Sequence, residues 1–245
     1  MSAQAYLEAA AAGIERLHTQ LPAIEQAAEA LTQVIVAGRS IFAFGASHSF
    51  MLAEEMIYRT GGLMLVNPIF PHGMNLSVRP MTLTSQLERV EGLGATLLRG
   101  NPVRAGDVLI IASTSGRNAV AIDMALAARE IGVTVIAITA LEYSKQVESR
   151  HSSGKKLYEL SDIVIDNCSP LGDAAVQVAG FAQAVGPLSS VLGCAVVNAI
   201  ATQVVANLVA RGVTPPVFVS ANMPGGDEHN ARLLAENRER IFYMD

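Results

Sequence analysis

The sequence predicts an α/β fold in three layers, α-β-α, with a parallel sheet covered by helices on both faces. Two observations carry this. Five short runs rich in β-branched and aliphatic residues, at 40–44, 63–66, 107–112, 133–138 and 162–165, show little polar alternation, as strands buried on both faces do. Between most of them lie stretches of helical period, at 48–60, 84–98, 118–131 and, more weakly, 141–149. Strands that alternate with helices build right-handed parallel crossovers.

Taken in order, residues 2–37 place Leu7, Ile14, Leu17, Leu21, Ile24, Ala28 and Leu31 on a helical face. Pro22 divides the stretch into two helices or kinks it. Gly38 closes the helical part, and Ile41-Phe42-Ala43-Phe44 begins the first strand. After Asp166 a Pro/Gly-containing turn leads into a long apolar helix over 187–211. The tail carries a short extended piece, Val217-Phe218-Val219, a Gly-rich turn and a polar helix over 227–241. With no linker, low-complexity tract or repeat, the reading is one domain over 1–245: N-terminal helices 1–37, an α/β core 38–211 and a C-terminal tail 212–245.

Composition narrows the function classes. The chain has 245 residues, 51% of them hydrophobic and 16% charged, which excludes intrinsic disorder. Seventeen Lys+Arg against twenty-two Asp+Glu give a net charge of −5 with no basic face, and Trp is absent. Nucleic acid is therefore not an expected partner. The apolar run Leu188–Val209 approaches the length of a membrane span, but it contains Asn198, Gln203 and Asn207. Such amides favour a buried helix, so no membrane partner is expected. Cys168 and Cys194 have no metal-finger spacing, and the N-terminus has no basic leader region. Both point to a reducing, cytoplasmic setting.

In open parallel sheets, ligands bind beyond the carboxyl ends of the strands. Two strand ends here carry unusual loops, Phe44-Gly45-Ala46-Ser47-His48-Ser49 and Ile111-Ala112-Ser113-Thr114-Ser115-Gly116-Arg117-Asn118. Successive N–H groups, hydroxyls and a helix N-terminus suit each loop to an anion. Ser, Thr and Gly after a strand also serve as plain turns and caps, and both readings stand. No Walker lysine follows and the dinucleotide glycine spacing is missing, so neither loop calls for a cofactor.

These two loops resemble those of the SIS (sugar isomerase) domain family, and the resemblance runs over roughly residues 5–211. It implies a flavodoxin-like sheet of five parallel strands and phosphosugar binding. A Gly-x-Ser-His turn, an Ala-Glu-Glu helix and a Ser-Thr-Ser-Gly loop make the chain similar to the phosphoheptose isomerases in particular. The runs Leu141-Glu142-Tyr143-Ser144, Ser149-Arg150-His151-Ser152-Ser153-Gly154-Lys155 and Gly225-Gly226-Asp227-Glu228-His229-Asn230 look like a separate bacterial SIS group. The resemblance implies that Ser47 holds the phosphate with Ser113, Thr114 and Ser115, that Asn118 completes the loop, and that Glu55 is the catalytic glutamate. The matching histidine should lie on the late helix, yet Pro187–Arg211 contains none.

Aldose–ketose isomerisation needs a base beside a carbonyl and stabilisation of an enediolate. Glu55 suits the first role. By spacing alone it equally forms an i,i+4 pair with Arg59. Of the five histidines, His48 sits beside an anion loop, and His229 could cover a site from the tail; Asp227 could instead simply cap the last helix. Arg117 and Lys155 are the candidate cationic partners of an anion. No His pair has metal-ligand spacing, so no metal is expected. The sequence thus points to a sugar-phosphate isomerase with Glu55, His48 and His229 as catalytic candidates and Gly45, Ser47, Ser113, Thr114, Ser115, Arg117 and Asn118 as binding candidates. A phosphosugar sensor, or a deaminase or ether lyase on the same fold, is the alternative. Apolar surface on helices 2–37 and 187–211 predicts a homodimer or homotetramer.

Overall fold

The computed structural model describes residues 2–244. Its central sheet contains β1 (Ile41–Gly45), β2 (Val66–Pro68), β3 (Val108–Ala112), β4 (Thr134–Thr139) and β5 (Ile163–Asp166). All pairings are parallel, in the order β2-β1-β3-β4-β5. The two-residue period of each strand divides its side chains between two cores. Ile41 and Ala43, Val108 and Ile110, and Ile136 and Ile138 face one core. Phe42 and Phe44, Leu109 and Ile111, and Val135 and Ala137 face the other.

The first core is closed by α1 (Ser2–Leu17), α2 (Leu21–Val36), α3 (Phe50–Met56) and α9 (Ser189–Ala210). Pro22 lies in the first turn of α2, where its missing N–H has no helical partner to lose. The 22-residue α9 is long and apolar enough to cross a membrane by length and composition. It buries Leu192, Val196, Ile200, Val204 and Leu208 at four-residue intervals among the other helices of this core. The second core is closed by α5 (Leu93–Arg99), α6 (Ala119–Ile131) and α8 (Leu157–Leu160).

Several elements differ from the sequence expectation. The strand expected at 63–66 begins only at Val66, because Leu63 bridges antiparallel to Val217 in the tail. The helix expected over 48–60 is a 3₁₀ turn, Ser47–Ser49, followed by the short α3. The chain leaves α3 through an extended Ile57 and a Tyr58 with φ +47°. The helix expected over 84–98 is broken into α4 (Thr82–Leu87) and α5. Gly92 between them takes φ +83°, and its N–H donates to Asp123 Oδ2 at 2.6 Å. A hairpin of β6 (Ala174–Gln177) and β7 (Ala184–Pro187) occupies what reads in sequence as a turn. The stretch expected as a helix over 141–149 keeps only α7 (Leu141–Gln146). The tail forms α10 (Gly226–Glu236) and then covers the β2 edge. There Asn67 donates to Arg240 O and accepts from Phe242 N, and Phe242 stacks on Phe42.

Gly94 sets the approach of α5 to α6. A Cβ at this position would stand 2.0 Å from Val120 O and 2.8 Å from Met124 N. Backbone cannot yield as a side chain can, so Gly94→Ala should destabilise the fold by about 3 kcal/mol, measured by urea unfolding.

Candidate functional site

Both Ser-rich loops emerge at the carboxyl edge of the sheet, from the adjacent strands β1 and β3. Gly45 ends β1, and a Cβ there would lie 2.1 Å from Ser49 O, so glycine lets the turn fold back on the strand. Ser47 takes φ +54°, a left-handed conformation that costs a non-glycine residue roughly 1 kcal/mol. Its N–H donates to Met74 O at 2.8 Å, and Ser49 N donates to Ala46 O at 3.0 Å. These bonds hold the strained turn and leave the Ser47 hydroxyl at the cleft.

The second loop is anchored through its carbonyls. Thr114 O accepts from Ala140 N at 2.9 Å and from Thr139 Oγ1 at 3.1 Å. Gly116 O accepts from Leu157 N at 2.9 Å, and Arg117 O from Arg150 N at 2.8 Å. Gly116 has φ +59° and lies against Ser144 and Thr139. Among the described residues, neither the N–H groups of residues 114–118 nor the hydroxyls of Ser113, Thr114 and Ser115 donate to protein. Carbonyls bound behind and donors free in front make an anion cradle.

The two loops form one wall of a cleft of about 490 Å³, lined by Ser47, His48, Ser49, Ser113, Thr114, Ser115 and Asn118. The size suits a small metabolite. Its other walls include Ser85 and Glu88 from the α4 end, Tyr143 from α7, and Asp173, Ser189 and Ser190 at the start of α9. Asp173 accepts from the N–H of Leu188 and from both the N–H and the hydroxyl of Ser189, and so caps α9 at the cleft.

Two carboxylates line this cleft: Asp173, engaged with Leu188 and Ser189, and Glu88. The break before α5 turns the chain at its position, where its carbonyl accepts from Val120 N at 3.1 Å. The half-buried carboxylate accepts a short hydrogen bond from Asn118 Nδ2. Burial pushes the Glu88 carboxyl above the usual carboxylate range, opposed by the Asn118 bond and by the charges of Arg150 and Arg89. Glu88 carries no motif of its own, and the sequence predicts one unbroken helix over 84–98 around it. The signal that could have found it is Gly92, a helix stop four residues on.

The structure brings Ser47, His48, Ser113, Thr114, Ser115 and Asn118 together, with Gly45 supporting them from behind. It does not bring Glu55, Arg117 or His229 to this cleft. Glu55 accepts from Arg59 at 2.6 Å and from Asn198 Nδ2 at 2.8 Å. It lines a separate small recess with Asn198 and Met56. The i,i+4 pair with Arg59 is thus the geometry it takes in the protomer. Asn198 is the α9 partner of Glu55, an amide in a pair that the resemblance completes with a histidine. His229 lies on α10, whose neighbour Asn230 bonds Val219 N and O, so the tail helix packs on residues 217–219 rather than over the cleft. Arg117 buries its Nε without a protein acceptor among the described residues. Lys155 stands 3.7 Å from Glu159. Among the described residues no three His, Cys, Asp or Glu side chains gather as a metal-ligand group.

The chain belongs to the SIS domain family, whose model matches residues 5–140. Its relatives include a UPF0309 protein of Shouchella clausii, 49% identical over 89% of each chain. A UPF0309 protein of Streptomyces coelicolor is 41% identical over 97% of this chain and 96% of its own. Among solved structures, phosphoheptose isomerase GmhA from Neisseria gonorrhoeae superposes with a TM-score of 0.53 and 20% identity, covering 82% of this chain and 97% of that one. A phosphoheptose isomerase from Francisella tularensis gives 0.50 and 18%, covering 83% and 92%. At these identities the likeness to the solved structures is one of fold, and it agrees with the five-stranded sheet.

Proposed function

We propose that the cleft binds a sugar phosphate and that the protein isomerises it through an enediolate, with Glu88 as the proton-transfer group. One observation carries this reading: a half-buried carboxylate shares one small cleft with the free donors of both hydroxyl loops. The phosphate sits on Ser47, Ser113, Thr114 and Ser115, and α6 adds its N-terminal field. Glu88 removes the proton from the carbon beside the carbonyl, leaving the electron pair in the enediolate. The hydroxyl proton on that carbon moves to the former carbonyl oxygen, and the Glu88 carboxyl, which exchanges its proton with solvent, gives one to the neighbouring carbon, so the reaction needs no co-reactant. A carboxyl pushed upward by burial is a better base than an exposed one. His48, exposed on the rim, is placed to assist ring opening, and Asn118 to hold Glu88 and the sugar.

The protein assembles as a homodimer or homotetramer in this reading. Leu7, Ile14 and Leu21 are exposed at seven-residue intervals, and Val191 and Val209 are exposed on α9. Such apolar patches favour a second copy.

Proton NMR in deuterated buffer with a panel of aldose and ketose phosphates tests the reaction. For one member, the proton beside the carbonyl is expected to be lost. Exchange in no member of the panel, with one of them still shifting its signals on binding, overturns the isomerase reading in favour of a phosphosugar sensor.

A further inference from the structure

The segment between α7 and α8 has neither helix nor strand, yet it is tied down on four sides. Arg150 N donates to Arg117 O at 2.8 Å. The His151 ring lies between Asp123 Oδ1 on α6, at 3.0 Å, and Ser153 Oγ, at 2.7 Å. Both His151 and Asp123 side chains are 9% exposed. Ser152 donates through its N–H at 2.7 Å and its hydroxyl at 2.6 Å to Glu91, in the break between α4 and α5. Lys156 Nζ donates to Ser144 O at 2.8 Å, at the end of α7.

The anchors place one side chain beside the cleft. Arg150 Nη1 donates to Asn118 Oδ1 at 3.0 Å, and Asn118 Nδ2 donates to Glu88. Asn118 has the extended backbone of an N-cap to α6, yet makes no capping bond with its side chain. That omission gives up about 1 kcal/mol of helix stabilisation. The amide is turned instead to the one orientation that serves a guanidinium on one side and a carboxylate on the other.

We propose that Arg150 is a positioning residue for Glu88, fixing the Asn118 amide and through it the direction in which the carboxylate faces the cleft. The His151–Asp123 pair holds the segment that presents it. The inference rests on the reading of Glu88 as the proton-transfer group. The groups around Glu88 are Arg89 and Thr84 on its own side, Asn118 from the second loop and Arg150 from this segment, with His48, Tyr143 and Asp173 on the same cleft. Arg150 has its proton affinity lowered by burial and then by the charges of Arg117 and Arg89. Among the described residues none of the three has an ion-pair partner within salt-bridge distance, so simple charge pairing does not account for the arrangement.

Carbon-detected NMR on glutamate-labelled protein follows the Glu88 carboxyl without any sugar, its signal assigned by its loss in Glu88→Gln. In Arg150→Gln its titration midpoint should move upward, and Arg150→Lys should restore it only in part, because a flexible, strongly hydrated ammonium fixes the direction of the bond to Asn118 Oδ1 less firmly than a planar guanidinium does. In an Asn118→Ala background the same Arg150→Gln change should shift it markedly less. Full rescue by Lys, or an undiminished shift without Asn118, makes Arg150 a mere nearby charge and overturns the proposal. An unmoved midpoint in Arg150→Gln does so as well. Because the titration uses no substrate, it is decided even if the panel finds no enolisation. Failure of exchange with the Asn118-dependent shift intact would remove only the functional reading.

Discussion

Glu88→Gln should lower proton exchange at the carbon beside the carbonyl about 10³-fold, within the usual range for a positioned general base. Sugar-phosphate affinity should stay within about threefold, because the phosphate is held by the loops and not by the carboxylate. Glu55→Gln is the decisive comparison. Glu55 is bound to Arg59 and Asn198 and faces a different recess, so its removal should leave exchange within about threefold. The reverse pattern, with Glu55→Gln silent in exchange and Glu88→Gln active, would return the reaction to the residue that the family resemblance implies. The same variant carries a second readout. Burial raises the Glu88 carboxyl in the folded state. The folded protein therefore binds this proton more tightly than the unfolded chain, and the stability that follows is full below the ordinary carboxylate range. It is lost as pH rises through the folded titration. Glu88→Gln removes that loss while keeping an acceptor for Asn118. It should therefore be more stable than the parent at neutral pH, with the gain shrinking as the solution is acidified. Guanidinium unfolding at neutral and acid pH measures it.

This difference between Glu55 and Glu88 marks how far the sequence carries. The three central strands were legible because each is buried on both faces, so Ile41–Phe44, Val108–Ala112 and Val135–Ile138 read as unbroken apolar runs, whereas the strand expected at 63–66 overlaps β2 only at Val66. The hydroxyl loops were legible as Ser-, Thr- and Gly-rich strand ends, but that composition serves a turn or cap as well as an anion site, and the family resemblance tipped the reading. Glu88 was not legible. Its place depends on a helix break made by a tertiary bond, Gly92 N to Asp123 Oδ2, and a periodicity count over 84–98 does not register a partner on α6. The surroundings of Glu55 were illegible for the opposite reason. Its motif fits the family, but α3 is only seven residues long and its Glu faces α9, where Asn198 completes the pair. The 174–187 hairpin escaped because its strands are half exposed and short, with Gly and Pro in the closing segment.

The other large effect belongs to the second loop. Ser113→Ala and Ser115→Ala should each weaken sugar-phosphate binding by 10- to 100-fold, since a hydrogen bond to a charged group contributes about 1.5–3 kcal/mol. The two residues share one loop, so the double variant should fall short of the product of the single effects. The backbone of the loop should survive either change. Its carbonyls are held by Ala140, Thr139, Leu157 and Arg150, and none of these bonds uses a Ser113 or Ser115 hydroxyl. Calorimetry with the sugar phosphate, the same sugar without phosphate and inorganic phosphate separates the possible causes. If the hydroxyls bind the phosphate, both phosphate ligands weaken while the free sugar is unchanged. If they only shape the cleft, all three ligands weaken together, and the anion cradle on the β3 loop is then the wrong assignment.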